Sequence, residues 1–220
     1  MPTKNTIRPA EHRHNEYVVG GRRVPSVTEI LSKVIAKPFL TRWANNLGLG
    51  GVSLADESRH TLGIGTLVHA NIEGILNGMG VDSAGFTEVQ ISTAGNCAIE
   101  FARWAEGKDI SVLATEKQMV SASQMYGGTI DAYLEVDGVP TLMDWKTSKM
   151  ISTDYYIQLA AYAALLEENG EKPQAAAVLR LPKDGGRYEY SRMAIGELKG
   201  RYSKAWALCL ALYAELGAIA

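Results

Sequence analysis

The sequence predicts an α/β (α+β) fold, with a central mixed β-sheet flanked by helices and an N-terminal helical elaboration. Three observations carry this prediction. Residues 110–146 alternate in polarity and contain Asp137–Gly138, a strong hairpin signal. Helical periodicity precedes that stretch, from Ser26 to Glu106. After it the pattern runs helix, strand, strand, helix, which places helices against a sheet that includes a crossover connection. At 220 residues and 46% hydrophobic, the chain is long and apolar enough to bury a sizeable core. The expected organisation is a single domain over 1–220, divided into a hairpin and helical elaboration (1–62) and a core (63–220).

Met1 to Glu16 is polar and reads as loose. Tyr17–Val19 and Arg22–Val24, joined by Gly20–Gly21, form a small hairpin. Ser26 and Glu29 have capping-box spacing and open a helix. Pro38 opens a second helix, through Trp43 to Leu47 and ended by Gly48. Gly50 to Leu62 reads as irregular or short helix. Gly63-Ile-Gly-Thr66 reads as a breaker and N-cap, before a helix with Val68, Ile72, Ile75, Leu76 and Met79 on one stripe. A longer helix follows from about Thr87 to Glu106, with Ala94, Ala98, Phe101 and Ala105 inward.

Strands are expected at Ile110–Ser121, Thr129–Val136 and Val139–Lys146. Ser152 or Thr153 then caps a helix to Glu168, apolar on most sides and so packed on the sheet. Ala175–Leu181 is apolar enough for a central strand, and Arg187–Met193 is a more polar one after the Asp184–Gly185–Gly186 turn. The last helix, about Ile195 to Leu216, puts Leu198, Tyr202, Trp206, Cys209 and Leu216 on one face.

Composition excludes several classes. A formal net charge of −2, with 21% charged residues, does not describe a protein that coats nucleic acid by charge alone. It leaves room for an enzyme with a local basic groove, although Lys33, Lys37 and Arg42 read first as ordinary solvated helix faces. Two cysteines, Cys97 and Cys209, cannot make a disulfide framework or a four-cysteine iron–sulfur site. No apolar run approaches the roughly 18 residues of a membrane helix, and no signal-peptide core opens the chain, so a soluble cytoplasmic location is expected.

The stretch Tyr126 to Lys146 concentrates the chemistry. Asp144 and Lys146 are two apart on a strand and point to one face, and the hairpin brings Asp131 toward Asp144. Hard oxygen ligands suit Mg²⁺ or Mn²⁺, and a lysine beside such an ion can neutralise developing charge. The bland reading of Asp144-Trp-Lys146 is a salt-bridged surface patch. Against it, Leu142, Met143 and Trp145 make the strand apolar, where a carboxylate and a lysine need a reason. Gln158 and Tyr162 share a helix face, either holding a phosphate or serving as polar face and core tyrosine. His69 and Glu73 are a potential ligand and its orienter, or a helix-surface contact. Glu116 is a further carboxylate at the site or a salt-bridge residue.

Five pieces occur in order: Gly65-Thr-Leu-Val-His69 with Glu73, Glu116, Gly127-Gly-Thr-Ile-Asp131, Asp144-Trp-Lys146, and Gln158-x-x-x-Tyr162. Together they resemble the PD-(D/E)xK nuclease superfamily, in its RecB-type exonuclease branch. The Pro25-Ser-Val-Thr-Glu-Ile-Leu31 stretch is similar to phage and mitochondrial-genome-maintenance exonucleases. The resemblance covers about Gly63 to Tyr162. It implies a restriction-endonuclease-like core of order α-β-β-β-α-β. It departs from the family pattern where Ile130, not proline, precedes Asp131.

The resemblance also implies roles. Asp131, Asp144, the Trp145 main-chain carbonyl and His69 would be metal ligands for Mg²⁺ or Mn²⁺, and Lys146 the catalytic lysine. Glu116 would touch a second metal or support the site, with Glu73 in a supporting place. Gln158 and Tyr162 would contact the DNA backbone. Apart from the resemblance, Lys149, Arg180 and Lys183 follow or flank the sheet and are candidate backbone contacts, whose bland reading is routine surface charge. The implied activity is Mg/Mn-dependent hydrolysis of DNA at single-stranded or duplex ends, in recombination, repair or replication. DNA is the implied partner, with a recombinase or single-strand-binding protein as a protein partner, and no membrane, nucleotide cofactor or iron–sulfur cluster. A catalytically idle DNA- or partner-binding module and a structure-specific endonuclease are the alternatives.

Overall fold

A computed structural model of the protein describes residues 6–9 and 16–219. In chain order the elements are β1 (Thr6–Ile7), β2 (Tyr17–Val19), β3 (Arg22–Val24), α1 (Val27–Val34), α2 (Pro38–Leu49), α3 (Leu54–Asn77) and β4 (Gly80–Val81). They continue with α4 (Glu88–Ala105), β5 (Ile110–Ser121), β6 (Tyr126–Val136), β7 (Val139–Lys146), α5 (Thr153–Glu168), β8 (Ala175–Arg180), β9 (Glu189–Ala194) and α6 (Ile195–Ile219). Most of the expected N-terminal segment, 1–5 and 10–15, lies outside the described residues.

The centre is a five-stranded sheet of order β5-β6-β7-β8-β9. β7 and β8 are parallel, joined through α5, and the other neighbours are antiparallel. Helices cover both faces. On one side α1, α5 and α6 bury Ile30, Leu159, Leu165, Leu198 and Trp206 against Ile130, Leu142 and Val178. On the other, α3 and α4 bury Val68, Ile72, Phe101 and Trp104 against Leu134, Met143, Trp145 and Leu179. β7 and β8 are apolar on both faces because each side meets a helix layer. The fold is therefore mixed α/β, a five-stranded mixed sheet between helix layers, as the patterning predicts.

Several boundaries fall where local chemistry places them. Asp137 (φ 52°) and Gly138 (φ 75°) both take left-handed backbone, the geometry that a two-residue hairpin turn demands. Thr87 and Gln90 close a reciprocal capping box at the start of α4. Ser26 accepts from the Glu29 N–H at 3.0 Å, but the Glu29 side chain bonds Arg23 and Tyr213. That capping box is thus half-formed.

The expected break at Gly63 to Thr66 is not there. α3 starts at Leu54, capped by Ser53, and runs uninterrupted through these residues. Gly63 is needed for close approach: a Cβ there would stand 2.3 Å from the Gln90 side-chain nitrogen, which donates to the His60 carbonyl. Glycine in this helix lets α4 pack tightly, so its sequence signal imitates a breaker. Gly78, left-handed at φ 65°, ends the helix, leaving Met79 outside it and Ile75 52% exposed. Gly48 likewise lies inside α2, which continues to Leu49. Cys97 and Trp104, rather than Ala98 and Ala105, are the fully buried partners of Ala94 and Phe101. β6 begins at Tyr126, and Leu216 on α6 is exposed. The parallel β1–β4 pair has too few residues to carry a period.

The two glycines at the start of β6 are sterically required. A Cβ on Gly127 would stand 2.3 Å from the Tyr17 ring, and one on Gly128 would stand 2.6 Å from the Tyr162 ring. Gly128→Ala is expected to cost about 1–3 kcal/mol of stability, measured by urea unfolding, because the Tyr162 ring is 4% exposed and has nowhere to retreat.

Candidate metal centre

The site forms where β6 and β7 part. Their ladder ends at Ala132 and Met143. One residue further, the Asp131 carboxylate takes the Trp145 N–H at 2.7 Å, a bond the ladder does not supply. β6 also loses its alternation here: Ile130 packs on the α5 side, while Ala132 and Leu134 pack on the α3–α4 side. On β5, Thr115 pairs with Ala132 and Lys117 with Ile130, which sets Glu116 opposite Asp131. Glu116 has φ 44°, rare for a residue with a side chain and costly within a strand. An extra residue, Leu113, bulges the same strand nearby. The distortion of both strands at one level directs two carboxylates into a common space.

α3 supplies the third group. His69 Nδ1 lies 3.3 Å from Asp131 Oδ1. His69, Glu116 and Asp131 each offer one ligand atom within 4.8 Å of the others, and they form the group among the described residues that could hold a metal ion. The electrostatics describe an incomplete charge balance. Burial raises the Glu116 carboxyl, and repulsion from Asp131 raises it further, to about 8. Burial opposes the charged form of His69, but attraction and a hydrogen bond from Asp131 outweigh it and lift the imidazole to about 9. Burial also opposes Asp131 ionisation, yet His69 and Lys146 hold its carboxyl below the usual range. Crowded carboxylates that are desolvated and short of positive charge, beside an imidazole, fit a divalent cation.

These titrations fix a sign. Glu116 binds its proton near 8 folded, against an ordinary value of 4.5, so protonation stabilises the fold as pH falls. His69, raised from 6.5 to about 9, stabilises below its ordinary value and loses that contribution as pH rises through 9. The metal-free protein should therefore gain thermal stability as pH falls from about 9 to about 6. In Glu116→Gln, calorimetry across that range should show a shallower gain.

Asp144 and Lys146 form a second unit. Asp144 is 1% exposed, and the Lys146 ammonium lies 2.7 Å from its Oδ1 and 2.6 Å from its Oδ2. Only the Oδ1 contact has hydrogen-bond alignment, so Oδ2 is buried without a hydrogen bond and keeps acceptor capacity. Burial raises Asp144 to about 6 against the pull of Lys146. Burial also opposes the charge on Lys146, but the Asp144 and Asp131 carboxylates more than offset this and keep it an ammonium. On α5, Gln158 donates to the Tyr162 hydroxyl at 3.0 Å. Burial holds the Tyr162 phenol well above its ordinary value, so it stays protonated.

Two cavities meet at this centre, sharing His69, Glu116 and Lys146. One, about 520 Å³, is also lined by Glu73, Thr147, Tyr155 and Lys183. The other, about 370 Å³, is lined by Tyr17, Ser26, Thr28, Asp131, Gln158 and Tyr162. The structure thus brings together His69, Glu116, Asp131, Lys146, Gln158 and Tyr162, and sets Glu73 and Lys183 on the wall. Arg180 instead bonds Glu189 and the Ser148 carbonyl, and Lys149 is exposed; neither lines either of these two cavities. Trp145 packs its ring on Phe101 and Trp104. Ser26 and Thr28 come from the Pro25–Leu31 stretch, whereas Tyr17 and Tyr155 carry no motif and only tertiary contact places them here.

No family model and no curated protein matches the chain. Solved structures give distant likenesses. LHK-Exo in complex with dAMP is 16% identical at TM-score 0.33, over 68% of this chain and 80% of that one. The alkaline exonuclease LHK-Exo from Laribacter hongkongensis is 15% identical at TM-score 0.33, over 69% and 81%. The protein SSO0001 is 13% identical at TM-score 0.35, over 94% and 78%. No helix among the described residues is long and apolar enough to cross a membrane. The helix α3–α4 layer, the β5-β6-β7 meander, α5 and β8 follow the α-β-β-β-α-β order of the restriction-endonuclease-like core that the motifs resemble.

Proposed function

We propose that the protein is a Mg/Mn-dependent DNA exonuclease, hydrolysing phosphodiester bonds at single-stranded or duplex ends in recombination, repair or replication. The observation that supports this most is the meeting of His69, Glu116 and Asp131 beside the Asp144–Lys146 pair, at the point where β6 and β7 part. His69, Glu116 and Asp131 would hold the cation, and the imidazole suits Mn²⁺. When bound, a divalent ion acidifies water and stabilises charge on a phosphoryl oxygen.

The chain's own residues supply the rest. Lys146, fixed by Asp144, offers an ammonium to the charge that builds on the phosphate as water attacks and the alkoxide leaves. Because the Tyr162 hydroxyl accepts from Gln158, its own proton is available for an oxygen of the DNA backbone. Lys183 lines the larger cavity as a second positive group along the strand's path.

Labelled linear and circular single-stranded DNA, incubated with Mn²⁺, Mg²⁺ or EDTA, tests the reading. Metal-dependent loss of the linear substrate, with the circle intact, is expected. Cutting of the circle would make the protein an endonuclease. Binding without hydrolysis in either metal would make it an idle module.

A further inference from the structure

The mechanism leaves one aromatic residue in the larger cavity without a role. Tyr155 lies in the first turn of α5, and its ring centroid is 5.0 Å from the Lys146 ammonium. It lines the same cavity as Lys146, His69 and Glu116. The turn that carries it is pinned from outside, since Lys37 at the start of α2 bonds the adjacent Asp154 at 2.8 Å. Lys146 has a long, flexible side chain that is 18% exposed, and the Asp144 carboxylate at its inner side forms one well-aligned hydrogen bond. Both contacted oxygens belong to that one carboxylate, so the ammonium can still swing about it on its outer side. An aromatic face on another side of the ammonium limits that swing, because the ring quadrupole attracts the cation most where solvent is scarce.

We propose that Tyr155 is a positioning residue for Lys146, holding the ammonium between the Asp144 carboxylate and its own ring so that it points at the reacting phosphate. The ring supplies this, not the hydroxyl. The inference rests on the nuclease reading in taking Lys146 as the group that meets the phosphate, but the placement of the lysine can be read without turnover.

The test uses full-length wild type, Tyr155→Phe, Tyr155→Leu and Lys146→Arg. In the first readout, NMR of ¹³C-labelled lysine locates the Lys146 side-chain methylene signals, identified by their loss in Lys146→Arg. Wild type and Tyr155→Phe should show these protons shifted upfield by the ring, and Tyr155→Leu should return them to ordinary lysine positions. In the second, steady-state hydrolysis of linear single-stranded DNA separates kcat from KM. Tyr155→Leu should lower kcat about tenfold or more with KM little changed, and Tyr155→Phe should restore it.

An unshifted lysine in wild type would overturn the contact itself. A shifted lysine with an unaltered kcat in Tyr155→Leu would overturn the positioning role. A raised KM with unaltered kcat would also overturn it, assigning Tyr155 to substrate contact instead. Loss of activity in Tyr155→Phe as well as Tyr155→Leu would assign the effect to the hydroxyl. An upfield-shifted lysine in a wild type that hydrolyses no DNA in any metal would overturn the nuclease reading and leave the contact standing.

Discussion

Asp131→Asn is expected to lower hydrolysis by about a thousandfold or more while leaving the fold in place. Asp131 links three parts of the centre. It pairs with His69, faces Glu116 and takes the Trp145 N–H that the parted strands would otherwise leave unmet. Asparagine keeps an oxygen for that N–H and removes the charge. Repulsion on Glu116 disappears with it, as does attraction for His69, and these act on the fold in opposite directions. Stability in urea should stay within about 1 kcal/mol of wild type, while single-turnover hydrolysis collapses. Mn²⁺, which should raise the melting temperature of the wild type, should leave that of Asp131→Asn unchanged.

Lys146→Met is expected to lose activity and stability together. Methionine preserves much of the aliphatic stem but leaves Asp144 buried with no countercharge. Removing one member of a buried pair costs about 3–5 kcal/mol. Asp144 titrates near 6 even beside Lys146, so without the lysine it takes a proton more readily. The loss should therefore be smaller at pH 5 than at pH 8, because a carboxyl raised in the folded state gains stability as pH falls. Adding Asp144→Asn to Lys146→Met should recover most of the stability and none of the activity. A double-mutant cycle in urea measures the coupling.

The sheet was legible because its signals are local. β5 and β7 lie where alternation puts them, and the Asp137–Gly138 turn sets their hairpin partner. The start of α4 near Thr87 is local too, closed in the structure by a capping box with Gln90. The glycines misled where they serve tertiary packing: Gly63 admits Gln90 and reads as a break. At the site, the order of His69, Asp131, Asp144, Lys146, Gln158 and Tyr162 was legible as a resemblance. The division of labour was not. Glu116 reads evenly as ligand or salt bridge, and only its left-handed backbone, opposite Asp131, joins it to His69. Asp144, expected among the ligands, lies buried beside Lys146, and its Oδ2 keeps acceptor capacity. Tyr17 and Tyr155 reach the cavities through contacts no local pattern encodes.

The central claim is that His69, Glu116 and Asp131 hold the ion that hydrolysis requires. Anomalous diffraction from crystals soaked in Mn²⁺ measures it most directly. The account predicts an anomalous peak within coordination distance of His69 nitrogen and of Glu116 and Asp131 oxygens, absent from Asp131→Asn crystals soaked alike. Ordered crystals of the wild type with no peak there, while the same protein degrades DNA in Mn²⁺, would contradict it.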